Sequence, residues 1–192
     1  MEPQIITAVA LGIGLAASSG FRVFVPLLAA SIAARMGLFP VQEGFLWLAE
    51  WPTLVLFAVA TLTEILAYYI PLVDNLLDGL TTPLAIGAGT LLLTSVLPID
   101  SELLKWVTGF LAGGGAAATI QGGNAITRAL STTTTAGLGN PVVATTENTA
   151  AIGTSILTFI IPLVIALLAI VLVAYLLIRF GKRLFRKRKN GS

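Results

Sequence analysis

Four stretches of this chain, residues 3–21, 79–99, 106–127 and 148–178, carry no charged residue. A fifth, 51–73, carries only Glu64. A transmembrane helix needs roughly 20 predominantly apolar residues, and each stretch is long enough. The pattern predicts about five helical spans. They run from about Ile5 to Met36, Pro52 to Ile70, Leu80 to Leu97, Glu102 to Leu130 and Thr149 to Phe180.

Two of these segments are too long to be straight. At about 1.5 Å per residue the first is roughly 48 Å, against a hydrocarbon core of about 30 Å. Ser18-Ser19-Gly20 and Pro26 predict a break within it, with two half-helices and six spans as the alternative. Pro162 predicts a kink in the fifth segment. Pro83 falls in the first turn of the third, where proline is tolerated. The N-terminus has Glu2 where a signal peptide has basic residues, so it reads as a retained first span. The fold class is an all-α polytopic transmembrane bundle over residues 1–180, followed by a basic tail, 181–192.

Composition agrees. The 192 residues are 56% hydrophobic and 10% charged, with mean hydropathy +0.95. Cysteine and histidine are both absent. This removes disulfides, thiolate nucleophiles, the commonest general base and the commonest zinc ligands. No enzyme activity and no cofactor are expected. Carboxylate chemistry and hard cations remain open.

Seven of the eleven basic residues are Arg179, Lys182, Arg183, Arg186, Lys187, Arg188 and Lys189. Positive residues stay cytoplasmic, which predicts a multi-pass protein of the cell inner membrane with its C-terminus inside. Counting back through five spans puts the N-terminus outside, Arg35 and Lys105 inside, and Asp74 and Asp78 at an outer mouth. Trp47, Trp51 and Trp106 fall near span ends, where indoles favour the headgroup region. The tail alternates basic residues with Phe180, Leu184 and Phe185. It serves as a topology anchor or as a contact to anionic lipid, and nucleic acid is not needed to explain it.

The fourth segment is dense in small residues. Gly109, Gly113 and Ala117 recur every four residues, as do Gly114, Ala118 and Gly122, so neighbours can approach on several faces.

Charges inside the apolar runs carry the functional reading. Arg22, Glu64, Arg128 and Glu147 lie at depth, where a charge costs about 2.5–3.5 kcal/mol on insertion scales. Two cations and two anions predict pairing, Arg22 with Glu147 or Arg128 with Glu64. Gln121 and Asn124 precede Arg128, and amides in a span seldom face lipid. These six residues are the candidate ion or substrate pathway; structural ion pairs between helices are the competing reading. Glu64 and Tyr68 share a helix face at four-residue spacing. Asp74 and Asp78 have the same spacing and are the chain's candidate ligands for a hard cation such as Mg²⁺ or Ca²⁺, although acids on a wet loop need no such role. Residues 131–147 read as a re-entrant polar loop or a plain external one. A faint echo links the halves: small residues, then glycine, then Arg22 or Arg128, with TLTE at Glu64 and ATTE at Glu147.

Glu64, Pro71, Asp74 and Asp78 in their spacing, the ASSGF segment before Arg22, and the glycine-rich run to Arg128 with Asn140-Pro141 and Glu147 resemble a bacterial membrane-protein family catalogued as domain of unknown function 4126. The resemblance covers most of the chain except the tail. Many members carry another acid and a lysine after Glu64, where this chain has Tyr68 and Tyr69. The family supplies no activity. The sequence therefore predicts a small channel or transporter for an ion, a cation by preference, or a small solute. It is expected to work as a homo-oligomer in the lipid bilayer. The alternative is a non-transporting scaffold or accessory subunit.

Overall fold

The computed structural model describes the backbone of residues 3–189. The side chains of residues 71, 72, 74–76, 78 and 183–189 lie outside the described residues, including those of Asp74 and Asp78. The described chain is helical throughout, with no strand. Its helices are α1 (Pro3–Ser18), α2 (Phe24–Arg35), α3 (Trp51–Ala67), α4 (Pro71–Thr94), α5 (Glu102–Thr108), α6 (Gly115–Thr135), α7 (Asn140–Ile160) and α8 (Pro162–Lys189). A 3-10 helix, Glu43–Ala49, precedes α3 at an angle of 61°, and a π-helical stretch, Gly109–Gly114, joins α5 to α6.

By length and composition, Glu102–Thr135 and Pro162–Lys182 are each able to cross a membrane. The bent pair Glu43–Ala49 and Trp51–Ala67 makes a third if it counts as one span. The chain has the build of a membrane protein.

The first predicted segment does break at Ser18–Val23, but the chain reverses there instead of continuing. Pro3 and Gln4 at the start of α1 line one cavity of about 520 Å³ with Gly37 and Leu38, which follow α2. Both ends of the α1–α2 hairpin therefore lie at one end of the bundle. At 16 and 12 residues, the arms are about 24 and 18 Å long, each short of a membrane core. The fifth segment also reverses. Going down α7, Asn148 meets Arg22, Thr154 meets Ser18, and Thr158 faces Gly14. Going up α8, Ile165 faces Gly14, Ala169 packs on Ala17, and Leu176 reaches Gly123. The chain turns at Ile161, whose φ of −135° and ψ of 62° are not helical. Pro162 opens a new helix there; it does not kink an old one.

These reversals change the ends. Trp51 stacks under Arg35, and Trp106 meets Phe45, so both lie at the end where α1 starts and α2 stops. α8 runs away from that end. The start of α4 is at the far end too, because Tyr69 bonds Thr145 near the start of α7. Arg35 and Lys105 are thus opposite the basic tail, not beside it. Asp74 and Asp78, by their place in α4, lie at the tail's end and not at the mouth opposite it.

Three smaller expectations also change. Pro83 sits in the interior of α4, which begins at Pro71. Residues 131–147 are not a loop: α6 runs to Thr135 and α7 starts at Asn140. Between them, Ala136 and Gly137 take positive φ values of 53° and 87°. The threonine run is helical, and the hydroxyls of Thr133, Thr134 and Thr135 are satisfied by carbonyls three or four residues back.

The closest helix contact lies between α4 and the π-helical stretch. Gly89 and Gly113 meet backbone to backbone, and the Thr94 side chain lies on Gly109. Small residues let helices without a hydrophobic driving force approach closely. Gly113→Ala would drive its methyl into the Gly89 carbonyl and to 2.9 Å from Leu93. We expect it to cost about 1–3 kcal/mol, seen as a lower unfolding temperature in detergent. Gly122 faces open space, so Gly122→Ala should leave that temperature unchanged or raise it. The absence of cysteine permits a test of the ends. Single cysteines at Gly44 and Leu138, both exposed, should react with an impermeant maleimide from opposite sides of the membrane. Reaction of both from one side would contradict this arrangement.

Candidate functional site

The hairpin tip between α1 and α2 buries its polar backbone within the bundle, and other helices satisfy it. α2 starts at Phe24 with no side-chain cap of its own. Its first N–H groups lack intrahelical partners. Glu64, one turn from the end of α3, supplies both bonds: Val23 N–H and Phe24 N–H donate to its two oxygens at 2.8 and 2.9 Å. A carboxylate here also meets the positive end of the α2 dipole. Asn124 of α6 donates from Nδ2 to the Gly20 carbonyl at 2.9 Å. Gly20 lies so close to Ala117 and Ile120 that a Cβ would clash with both.

Arg22 points from the same tip toward α7. Its Nη1 pairs with Glu147 Oε2 at 2.9 Å, its Nε donates to Asn148 Oδ1 at 2.5 Å, and its Nη2 donates to the Ala144 carbonyl. Arg128 of α6 reaches the same carboxylate: Nε donates to Glu147 Oε1 at 3.1 Å, and Nη2 pairs with Oε2. Glu147 thus serves two guanidiniums. Both also lie over the ring of Tyr68, 3.8 and 4.1 Å from its centre, where the negative ring face stabilises them. Arg22, Glu64, Arg128 and Glu147 are each no more than 7% exposed.

The structure therefore brings the four predicted charges together, in a pattern the sequence left open. Arg22 pairs with Glu147, one of the two alternatives. Arg128 pairs with Glu147 as well, while Glu64 is taken up by the α2 N-terminus. Gln121 stands apart, its Nε2 bonded to Thr81 Oγ1 at 2.9 Å between α6 and α4. The echo between the halves converges on this cluster, but the backbones differ: α1 ends before Arg22, whereas α6 runs straight through Arg128. The cluster is also not central. It lies about 20 Å along α3 from Trp51 but only about 10 Å along α6 from Thr135, at ~1.5 Å per residue.

Sequence reasoning missed Asn148, whose amide holds Arg22 and donates to Tyr69 Oη at 3.3 Å. Its signal was an amide beside a buried acid at the head of an apolar run. The ring role of Tyr68 was visible only as its four-residue spacing from Glu64. Nothing in the sequence points to the Val23 and Phe24 N–H groups except Pro26, a mark of a nearby helix start.

A cavity of about 270 Å³ opens beside the cluster between α6 and α7. Asn124 and Thr127 line it from α6, Val142, Val143, Thr146, Glu147 and Ala150 from α7, and Phe21 from the hairpin tip, so most of its wall is apolar. Among the described residues, no group of three or more acidic side chains is arranged to hold a metal. The metal reading of Asp74 and Asp78 lies outside the described residues.

The bonding pattern sets an order of stability losses. Glu147→Gln removes the shared counter-charge of two buried guanidiniums and should cost about 3–5 kcal/mol. Glu64→Gln replaces one of two charged acceptors by a donor and should cost about 1.5–3 kcal/mol. Unfolding titrations in detergent should rank them in that order, and the reverse order would contradict the shared-carboxylate arrangement.

No match to a curated protein or a solved structure was found. A family model described as a domain of unknown function (DUF4126) matches residues 9–182. With nearly the whole helical chain inside that match, from α1 through the charge cluster to α8, the protein belongs to the DUF4126 family.

Proposed function

We propose that this protein is a gated membrane carrier for an ion or small polar solute, which binds in the cavity between α6 and α7. The observation that carries the reading is the cavity wall. Glu147, Asn124, Thr127 and Thr146 set polar side chains into a largely apolar wall, and Phe21 at the tip of a broken helical hairpin lines it too. Broken helices meeting at a polar site are the build by which transporters bind solutes within the membrane. Glu147, with Arg22 and Arg128, closes the inner side, so a solute that passes has to re-pair these charges. That requirement favours a carrier over an open channel. The preference for a cation drawn from the sequence is tested by the ion panel below.

In this reading the basic tail lies at the cytoplasmic face, in contact with anionic lipid. The tryptophan end, with Glu43, Glu50, Asp100 and Glu102 around Arg35 and Lys105, faces out. Homo-oligomers would supply the area a chain this small lacks.

A scaffold is the second reading, and one specific observation favours it: all four charged side chains are buried and already have partners. Flux distinguishes the two. Purified protein in proteoliposomes is tested with a panel of inorganic cations, inorganic anions and small zwitterions. The carrier reading expects uptake of at least one, reduced about tenfold or more when Thr127→Leu and Thr146→Leu fill the cavity, a loss of about 1.4 kcal/mol or more in transition-state terms. Their unfolding temperatures should stay near wild type. Wild-type protein that moves nothing in the panel, while Glu147→Gln only lowers stability, would establish the scaffold.

A further inference from the structure

α3 and α7 both pack on α2, yet they leave a slot of about 240 Å³ between them. Leu28 of α2 lies in its floor, Thr61 and Ile65 form the α3 wall, and Ile152, Ser155 and Ile156 form the α7 wall. Apart from Thr61 and Ser155, the slot is apolar.

Those two hydroxyls share an unusual state with Thr94, whose buried hydroxyl is packed against Gly109 instead of lining a cavity. Thr61 is 7% exposed and Ser155 is 1% exposed, and neither hydroxyl has a hydrogen-bond partner among the described residues. Elsewhere in the helices the hydroxyls of Thr63, Thr90, Thr119, Thr127 and Thr158 bond the carbonyl four residues back. Thr61 and Ser155 do not make that bond. A buried hydroxyl without a partner is costly. Both residues line the slot, and an acceptor bound there would have to draw each hydroxyl round by rotation about Cα–Cβ.

Two hydroxyl donors on opposite walls match the two lone pairs of one carbonyl oxygen. The apolar remainder matches an alkyl or aryl body. We propose that the slot binds a slender lipophilic carbonyl compound from the lipid phase, its oxygen accepting from Thr61 and Ser155. A helix of a second copy, about 10 Å across with its side chains, is too broad to bring an acceptor to hydroxyls enclosed this deeply. A plain acyl chain fills the space but leaves both donors unpaired. The slot is separate from the α6–α7 cavity, so this inference stands without the carrier reading.

Benzophenone is a suitable probe, because its carbonyl is both the acceptor and the photoreactive group. Protein in lipid nanodiscs is irradiated with benzophenone, and the adducts are mapped by peptide mass spectrometry. Labelling should concentrate at Leu28, Ile65, Ile152 and Ile156. Nonan-5-one should compete, and n-nonane, which lacks only the oxygen, should not. The Thr61→Val and Ser155→Ala double variant removes no native hydrogen bond, so it should fold and keep its unfolding temperature while labelling falls about fivefold. Labelling spread over all lipid-facing helices, or equal competition by nonane, overturns the proposal. So does undiminished labelling of a folded double variant. The ketone-against-alkane comparison on the wild type decides the matter even if the double variant does not fold.

Discussion

One carboxylate, that of Glu147, holds two guanidiniums away from water, and the arrangement of the bundle follows from that need. A buried charge without a partner costs more than a small fold can offset. Arg22 comes from the tip of a hairpin that stops inside the bundle, and Arg128 comes from a long helix that passes the tip. They meet on α7 only if α1, α2, α6 and α7 take one relative position. The same position lets Glu64 close the open start of α2 and lets Asn124 close the Gly20 carbonyl. The polar groups at the break thus draw partners from α3, α6 and α7. A cluster assembled from so many elements fixes their relative positions.

Close approach makes that meeting possible. Gly20 gives the hairpin tip room against Ala117 and Ile120, and Gly89 against Gly113 brings α4 onto the π-helical stretch. Because α6 is held on both sides, its polar residues Asn124, Thr127 and Arg128 are aimed at the tip and at α7. The glycine-rich composition of this segment is therefore linked to the site: it sets the distance at which the charges can pair, and the cavity lies where α6 and α7 diverge beside them.

Much of the candidate site was legible. Charges in an apolar run are conspicuous, and their balance of two acids and two bases already implied a neutral cluster. The break at Ser18–Gly20 followed from segment length and small residues. Other features were hidden for physical reasons. At Pro162 the sequence is apolar on both sides, so a kink and a full reversal look the same. The threonines after Ser131 looked like a loop, but their hydroxyls return to the helix's own carbonyls. The backbone N–H groups that hold Glu64 carry no residue identity at all.

By itself the sequence determined the helical class, the membrane character, the family and the four charges that must find partners. These depend on hydropathy and on the cost of burying charge, both local properties of the chain. Only the tertiary structure decided which charges pair, which way each helix runs after a break, and which residues share an end of the bundle. Those depend on direction: a half-helix that continues and one that turns back bury the same residues in the same apolar surroundings. Only contacts between distant segments, such as Arg22 with Glu147 or Gly14 with both Thr158 and Ile165, tell them apart.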